Sequence, residues 1–385
     1  MDTRTLYLHT GGSKSGSSAL QNFFVLNRQI LLDGGVAYAR PQKLASKYSI
    51  TTGNGQMLIN LTDPDKGDQP LLDGLTMHMM DKSRALVTNE AFEWLPAENW
   101  RRLIDMAASQ GIRIHVIHFV RNTVPLLLSS YDQMIKRNGE ARSLVEWAQD
   151  ARLPVFEYLR RIYEFRRDLD ITILSYDRHK AELPRVLLNE IGINLAAARQ
   201  EINPIGQVNR SLAMAERDLL LDANRRFGNR YSKAISDMFI LSRPELRAKP
   251  TWDEDLVRIA EDRFGDDVKW VNDVFFGSKN EVRLYDESDK ANSRPRDDTP
   301  PAVTAESLMR NWMMDEMDKA SEHSLVDYLI SILRIERPDD AIIPADFDPI
   351  TYVIINEDIR RARADPYRHF INSGFREGRP YKLKP

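Results

Sequence analysis

The chain has 385 residues, 42% of them hydrophobic, which is enough to bury at least one sizeable core. Its 54 Lys and Arg residues stand against 57 Asp and Glu residues, so the net charge of −3 provides no overall field that favours nucleic acid or an anionic membrane as a partner. The absence of cysteine excludes disulfides and thiolate nucleophiles, and the lack of a leader-like N-terminus or of a run of about 18 apolar residues leads us to expect a cytoplasmic chain without a membrane span.

Four short segments rich in β-branched or aliphatic residues predict β-strands, and each is followed by polar residues and then by helical periodicity. This alternation is typical of parallel strands joined by crossover helices, so we expect an α/β fold with a central parallel sheet. The four segments are Thr5–His9, Ala85–Asn89, Ile112–Val120 and Asp170–Tyr176.

The first helix is the most clearly marked of the predicted helices. Apolar residues recur at intervals of three and four from Leu20 to Leu31, and Gly34 is suited to end the helix. Ser17 or Ser18 is suited to cap its start. We expect the apolar face of this helix to pack against the sheet.

Composition divides the rest of the chain. The segment from 211 to 277 is helical in character, whereas residues 286–303 are charged, contain proline and are almost free of apolar residues. Such a segment buries too little to order itself, which predicts a linker. Helical patterns return at Ser307–Met317 and Leu325–Leu333. We therefore predict a P-loop-like domain over residues 1–285, a linker over 286–303 and a small helical module over 304–385.

A glycine- and serine-rich loop, GGSKSGSS, lies between the first strand and the first helix. Such a turn exposes backbone amides at the positive end of a helix dipole, where anions bind. The hydroxyls of Ser15, Ser17 and Ser18 add donors, and Lys14 supplies the only full charge. A nucleotide-hydrolase loop requires its lysine directly after the last glycine, whereas Lys14 precedes Gly16. The pattern predicts an anion site of another kind, and the alternative is a flexible surface loop with a solvated lysine.

A second pattern, VRNTVPLLLSSYDQ, begins at the end of the third predicted strand. Arg121 stands at the strand end, Thr123 can cap the following helix, and Ser129 lies about one and a half turns into it. Arginine and serine so placed can both reach a phosphate over that edge of the sheet. The alternative for Ser129 is a hydrogen bond to its own helix backbone.

Glu90 and Tyr176 also follow predicted strands. Because ligands bind beyond the carboxyl ends of strands in open α/β sheets, we expect these two side chains to lie near Lys14 and Arg121. Glu90 is about as well explained as an ordinary acid at a helix N-terminus, and Tyr176 as an aromatic residue that caps the core.

These residues resemble the sulfotransferases that use 3′-phosphoadenosine 5′-phosphosulfate (PAPS). The loop and the segment after it, HTGGSKSGSSALQNFFVLNRQILLDGGVAYAR, are similar to the 5′-phosphosulfate loop of the bacterial, carbohydrate-type branch. The Arg121 segment is similar to the family's 3′-phosphate motif, in which arginine and serine are eight residues apart. The resemblance covers about Leu6 to Ser211 and implies a P-loop-type three-layer fold, with PAPS as co-substrate and no metal.

The resemblance also assigns roles to single residues. It places Lys14 at the bridging oxygen of the leaving phosphate and Arg121 with Ser129 at the 3′-phosphate. The members that it places at the nucleotide are Lys14, Ser15, Gly16, Ser17, Ser18, Arg121, Ser129 and Tyr176, with Tyr176 near the adenine.

The position of Glu90 matches the base of some carbohydrate sulfotransferases, whereas other members use histidine. Glu93 and His9 are the next candidates for the base. Arg210, in the sequence VNRS, is a doubtful substitute for the family's late basic loop. The catalytic residues implied by the resemblance are therefore Lys14 and Glu90.

The final segment, from Asp346 to Pro380, resembles a short helical module appended to bacterial glycan-modifying enzymes. Together with the family branch, it implies that the acceptor is a saccharide hydroxyl. His369 within it is expected to pack inside the module rather than to bind a ligand.

Two other kinds of function remain open. A P-loop kinase acting on a small molecule needs a magnesium-binding aspartate after a buried strand, and Asp177 is the near candidate. The second is a non-catalytic glycan-binding or scaffold protein. His115 and His118 are three apart on a strand, so their side chains point to opposite faces and cannot form one metal site.

Overall fold

A computed structural model describes residues 4–12, 14–41, 53–194, 211–242, 252, 254–286 and 324–382. Arg210, the predicted helix at 307–317 and the predicted linker apart from Asp286 lie outside these residues. Contacts divide the chain into two compact units. The first comprises Met1–Ser129, Val145–Val208 and Trp252–Ala291, and the second comprises Ser130–Leu144, Asn209–Thr251 and Asn292–Pro385.

The first unit is built on a parallel sheet of five strands in the order β2-β3-β1-β4-β5. All four predicted strands are confirmed to within one residue at each end. The short edge strand β2 was not predicted, because two residues are too few to show a periodicity. The strands are β1 (Arg4–His9), β2 (Val36–Ala37), β3 (Arg84–Thr88), β4 (Ile112–Val120) and β5 (Asp170–Ser175).

Helices connect the strands and continue beyond the last of them. In chain order up to residue 275 they are α1 (Ser17–Leu26), α2 (Arg28–Asp33), α3 (Gln56–Leu61), α4 (Asp68–Met79), α5 (Ala97–Ser109), α6 (Thr123–Asn138), α7 (Leu144–Ala148), α8 (Pro154–Glu164), α9 (Tyr176–His179), α10 (Leu183–Glu190), α11 (Met214–Phe227), α12 (Ser232–Ser242) and α13 (Glu254–Phe275). The helical character predicted for residues 211–277 is thus confirmed over α11, α12 and α13.

Helices cover both faces of the sheet, as successive residues of β4 demonstrate. Ile117 and Phe119 belong to an apolar cluster that also contains Phe24 of α1 and Leu187 of α10. His118, on the opposite face, packs its ring against Tyr158 of α8 with 4.9 Å between the ring centroids. The predicted α/β class is confirmed, with three layers and a glycine-rich loop between β1 and α1 as in P-loop-type folds.

The predicted first helix differs from the observed one in two details. It is divided at Asn27, whose backbone N–H and side-chain Nδ2 both donate to the Phe23 carbonyl, at 2.8 and 3.0 Å. This side-chain bond competes with continuation of the helix, so α1 ends and α2 begins at Arg28. The N-cap of α1 is Gly16 rather than a serine, and Gly34 caps the end of α2 as predicted.

The second unit is helical. Its C-terminal part contains two Asp-Pro pairs, and in each the aspartate carboxylate accepts the N–H groups that open a helix: Asp348 for α15 (Pro349–Ile355) and Asp365 for α17 (Pro366–His369). His369 Nδ1 lies 2.9 Å from the hydroxyl of Tyr352, so this histidine packs within the module as expected. Its helices beyond residue 323 are α14 (Ser324–Leu333), α15 (Pro349–Ile355), α16 (Glu357–Ala362) and α17 (Pro366–His369).

No helix among the described residues has the length and apolar character required to cross a lipid bilayer.

Candidate functional site

The loop between β1 and α1 has an unusual backbone. Gly11, Gly12 and Gly16 have φ values of 88°, 103° and 82°, and Lys14 has φ 63°. A non-glycine residue in the left-handed region is held there at a cost, and such residues are concentrated at ligand-binding turns. The loop thus holds Lys14 in a conformation that its own preferences do not favour.

Close approaches explain why the loop begins with two glycines. A Cβ atom on Gly11 would lie 2.8 Å from the Cβ of Glu90, and one on Gly12 would overlap the carbonyl oxygen of Phe119. The loop therefore rests directly against Glu90 on one side and the end of β4 on the other. This is the juxtaposition that the parallel topology predicts.

The loop serines are arranged in two ways. The hydroxyl of Ser15 donates to the Gly12 carbonyl at 2.5 Å, and that of Ser17 donates to the same oxygen at 3.2 Å. Both side chains are buried and close the loop upon itself. Ser18 is half-buried in the first turn of α1. Gly16 is the N-cap of α1 and has no side chain that could accept a hydrogen bond. No N-cap side chain therefore covers the first backbone amides of this helix, which adjoin the loop.

Arg121, directly after β4, connects the loop to the far end of the sheet edge. Its Nη1 donates to the Lys14 carbonyl at 2.9 Å, and its guanidinium carbon lies 5.3 Å from the ring centroid of Tyr176. The Nε of Arg121 is buried and has no hydrogen-bond partner among the described residues. A buried, unsatisfied guanidinium donor is costly unless a ligand accepts its hydrogen bond.

Tyr176 lies against the loop as well. A Cβ on Gly16 would be 3.2 Å from Cε2 of Tyr176 and 2.5 Å from Cδ1 of Leu183. The predicted strand was expected to include Tyr176, but this residue instead begins the short helix α9. Its ring therefore borders both the loop, at Gly16, and Arg121.

The backbone amides at the start of α6 bond to a segment that is distant in sequence. The N–H groups of Thr123 and Val124 donate to the carbonyls of Arg283 and Leu284, at 3.0 and 2.7 Å. The Thr123 hydroxyl, predicted to cap the helix, is buried and has no partner among the residues that the structure describes, because these carbonyls have taken the place of a side-chain cap. The amides that open α6 are thus occupied, and Arg121 supplies the donors at this end of the sheet.

Asp177, the aspartate considered above for a magnesium ion, is hydrogen-bonded to the backbone. Its Oδ2 accepts the backbone N–H of Asn122 at 2.7 Å, and burial raises the pKa of its carboxyl above the usual value. Among the described residues, no group of three or more His, Asp or Glu side chains could hold a metal ion.

Ser129 lies in α6 and is half-buried. Within the described part of the chain, no hydrogen bond joins it to Arg121 or to the loop. The structure therefore brings Arg121 into contact with Lys14 and Tyr176, and places Glu90 against Gly11 of the same loop.

The candidate bases differ in accessibility. Glu90 is exposed and begins a 3₁₀ turn, Glu90–Trp94, called here the Glu90 turn; the Asn89 side chain caps it by accepting the Ala91 N–H at 2.8 Å. Glu93 is 2% exposed and His9 is fully buried. Burial lowers the pKa of His9 to about 3. An acceptor in solution can reach Glu90 and neither alternative.

Sequence reasoning missed three buried polar residues beneath the loop: Thr10, His118 and Tyr158. The hydroxyl of Tyr158 donates to Thr10 Oγ1 at 2.8 Å, and His118 Nδ1 lies 3.0 Å from the same oxygen. No spacing rule relates a helical tyrosine to a threonine 148 positions earlier, so only the position of Thr10 directly before the glycines could have drawn attention to it.

Comparison with known proteins gave one structural likeness. No protein-family model matches the chain, and no curated protein does. Among solved structures it is similar to one described as the crystal structure of retinol dehydratase in complex with androsterone and inactive cofactor PAP. The sequence identity is 13%, the aligned part covers 70% of this chain and 82% of that one, and the TM-score is 0.30. A likeness this low does not bear on the activity of this chain.

Proposed function

We propose that the chain is a PAPS-dependent sulfotransferase that transfers a sulfuryl group to a hydroxyl acceptor. The observation that supports the proposal most is the arrangement of Arg121, which bonds to the Lys14 carbonyl and faces the ring of Tyr176. These three residues follow three different strands, and the sequence resemblance assigns all three to the same nucleotide.

The loop suits the 5′ end of that nucleotide. Glycines 11, 12 and 16 allow the backbone to approach a phosphosulfate, the amides at the start of α1 are available to it, and Lys14 adds a positive charge. Charge builds on the leaving oxygen in a loose transition state, so a lysine at this position stabilises the departing phosphate.

Arg121 suits the 3′ end. Its buried Nε offers a hydrogen bond that no group in the described part of the chain accepts, and a phosphate is the acceptor with which a guanidinium pairs best. Tyr176 provides an aromatic face beside it for the adenine.

Glu90 is the proposed base. As the acceptor oxygen bonds to sulfur and the bond from sulfur to the phosphate oxygen breaks, the acceptor proton passes to the Glu90 carboxylate. The glutamate is exposed and its Cβ is next to Gly11, so it faces the same space as the loop. We propose a saccharide hydroxyl as the acceptor, on the sequence resemblance alone.

The test is binding of adenosine 3′,5′-bisphosphate (PAP), the product nucleotide, in the absence of metal. At a hundred times its dissociation constant, PAP should stabilise the fold by about 2.7 kcal/mol, measured by thermal denaturation. Arg121→Ala should remove most of this shift, because the guanidinium is both a ligand donor and a neighbour of the loop. A shift with Mg-ATP and none with PAP would replace this proposal with the kinase alternative.

Ser129→Ala provides a second comparison. Because the 3′-phosphate is remote from the reacting sulfur, substitutions of Arg121 and Ser129 should weaken PAP binding more than they change turnover at saturation. Arg121 should have the larger effect, since it carries a full positive charge and bonds to the Lys14 carbonyl of the loop. Unchanged binding in Arg121→Ala would show that the 3′-phosphate motif lies elsewhere.

A further inference from the structure

A chain of buried polar side chains lies beneath the start of the loop. It runs from Tyr158 of α8 to Thr10 at 2.8 Å, from Thr10 to His118 of β4 at 3.0 Å, and from His118 Nε2 to Glu93 Oε1 at 3.7 Å. All four side chains are at most 2% exposed. We call these four residues the Thr10 network.

With Tyr158 as the donor to Thr10, the hydrogen-bond pattern favours one tautomer of His118. The Thr10 hydroxyl has one hydrogen; because it accepts from Tyr158, that hydrogen is directed to Nδ1 of His118. The proton of the neutral imidazole is then on Nε2, which faces Glu93. Burial, and next the neighbouring His9, lower the pKa of His118 to about 3, so the ring is neutral at pH 7.

Each end of the network reaches an element that holds a proposed site residue. Thr10 directly precedes the loop of Lys14, Glu93 belongs to the Glu90 turn, and His118 is three residues before Arg121 on β4. Hydrogen bonds hold Tyr158, Thr10 and His118 together, and beyond them His118 Nε2 and Glu93 Oε1 lie in polar contact at 3.7 Å, which is longer than a hydrogen bond. The loop and the Glu90 turn are in van der Waals contact, so a small displacement of either would alter their alignment.

We propose that His118 is a positioning residue that couples the loop to the Glu90 turn, through Thr10 on one side and Glu93 on the other. This inference rests on the proposed function for its purpose. Its geometry can be tested without a nucleotide or an acceptor.

The first measurement uses Trp94, which ends the Glu90 turn and is 63% exposed. The protein is labelled with 5-fluorotryptophan, and the ¹⁹F resonance of this residue is assigned from Trp94→Phe. Thr10→Val keeps the side-chain shape and removes the hydroxyl, and in the nucleotide-free protein it should shift or broaden the Trp94 resonance.

The matched control is Thr172→Val. Thr172 of β5 makes the same kind of contact, its hydroxyl lying 2.8 Å from Nε2 of His115, also on β4 but outside the network. This variant also loses a hydroxyl that contacts a histidine of β4, and it should leave the Trp94 resonance unchanged. Thr10→Ser, which retains the hydroxyl, should restore the resonance to its wild-type position.

The second measurement separates the two sides of His118. An asparagine amide corresponds to the Nδ1 side of the ring and a glutamine amide to the Nε2 side. His118→Asn, which keeps an acceptor for Thr10, should therefore retain the affinity for PAP but shift the Trp94 resonance. His118→Gln, which keeps an N–H group towards Glu93, should weaken PAP binding and leave the Trp94 resonance unchanged. Loss of the hydroxyl in Thr10→Val should raise the Kd for PAP about tenfold, the effect of one hydrogen bond.

The outcomes are distinct. An unchanged Trp94 resonance in Thr10→Val, or equal shifts in Thr10→Val and Thr172→Val, would overturn the coupling. If the wild-type protein does not bind PAP while the Trp94 shifts follow the stated pattern, the coupling holds and the sulfotransferase proposal fails. Should Thr10→Val not fold, Tyr158→Phe removes the other hydrogen bond of the same hydroxyl and is read in the same way.

Discussion

Glu90 is distinguished from the other acidic residues near the loop by its accessibility. Its nearest rival, Glu93, is one turn further along and buried, so the 3₁₀ turn presents one carboxylate to solvent and holds the other inside. A general base must be ionised and within reach of the acceptor hydroxyl. Only Glu90 of this pair meets the second condition.

Glu90→Gln should therefore leave PAP binding intact and lower turnover by roughly 10²–10⁴-fold, the range usual for loss of a general base. Glutamine is nearly isosteric and cannot take the proton. Turnover is measured as PAP release from PAPS at saturating saccharide acceptor, and PAP affinity is measured by calorimetry.

The control for this change is Glu98→Gln. Glu98 is also exposed and lies in the first turn of a helix, α5, so it experiences the same dipole without bordering the loop. Turnover should be unaffected. Near-full turnover in Glu90→Gln would reduce Glu90 to an ordinary helix-start acid and move the search for the base to another part of the sheet edge.

At the scale of elements, the loop packs so closely against its neighbours that its glycines leave no room for a side chain. Gly11→Ala adds a Cβ at φ 88° and 2.8 Å from the Cβ of Glu90, so it combines backbone strain with overlap against the Glu90 turn. We expect it to destabilise the fold and to weaken PAP binding, because the loop and the turn must separate. Thermal denaturation and PAP titration measure the two effects.

Gly111→Ala isolates the backbone contribution. Gly111 has φ 65°, and no atom of the described residues lies within 4 Å of an added Cβ, so this variant should lose about 1–2 kcal/mol from left-handed strain alone. Overlap should add about 1–3 kcal/mol in Gly11→Ala. Equal losses in the two variants, with unchanged PAP affinity, would mean that the loop does not depend on its contact with Glu90.

The sequence predicted those strands and helices whose signals lie within their own segments. The alternation of apolar strands and helical periodicity identified β1, β3, β4 and β5, and the edge rule brought Lys14 to Arg121 and Tyr176. The cap of α6 could not be foreseen, since it is made by carbonyls about 160 residues away. The division at Asn27 depends on one side-chain bond whose strength no periodicity reveals.

At the scale of the whole molecule, the contacts and the composition divide the chain differently. Composition predicts a boundary at residue 285, whereas the contacts group residues beyond 292 with Asn209–Thr251 and Ser130–Leu144. Within this second unit, α12 packs against α14. Ile235 and Met238 of α12 and Leu329 and Ile332 of α14 are each 1% exposed. Packing of two helices with such buried apolar residues indicates that they share one core.

A buried ion pair belongs to the same unit. Arg217 of α11 lies 2.8 Å from Asp132 of α6, and the exposed fractions of their side chains are 10% and 5%. Removing one partner of such a pair leaves an uncompensated buried charge and costs several kcal/mol, so the pair ties α11 to its place in the unit. The second unit is therefore held by elements from separate stretches of the chain.

These observations sharpen the prediction for the linker. Limited proteolysis should cut first between Asp286 and Pro301, because that segment has too little apolar surface to pack. On a denaturing gel two fragments should appear, whereas in native gel filtration they should elute together, since the core between α12 and α14 holds them. Mild urea should release the C-terminal fragment. Separate elution under native conditions would instead show that residues 304–385 fold as an independent module, and resistance of 286–301 to cleavage would show that the segment is packed against the protein.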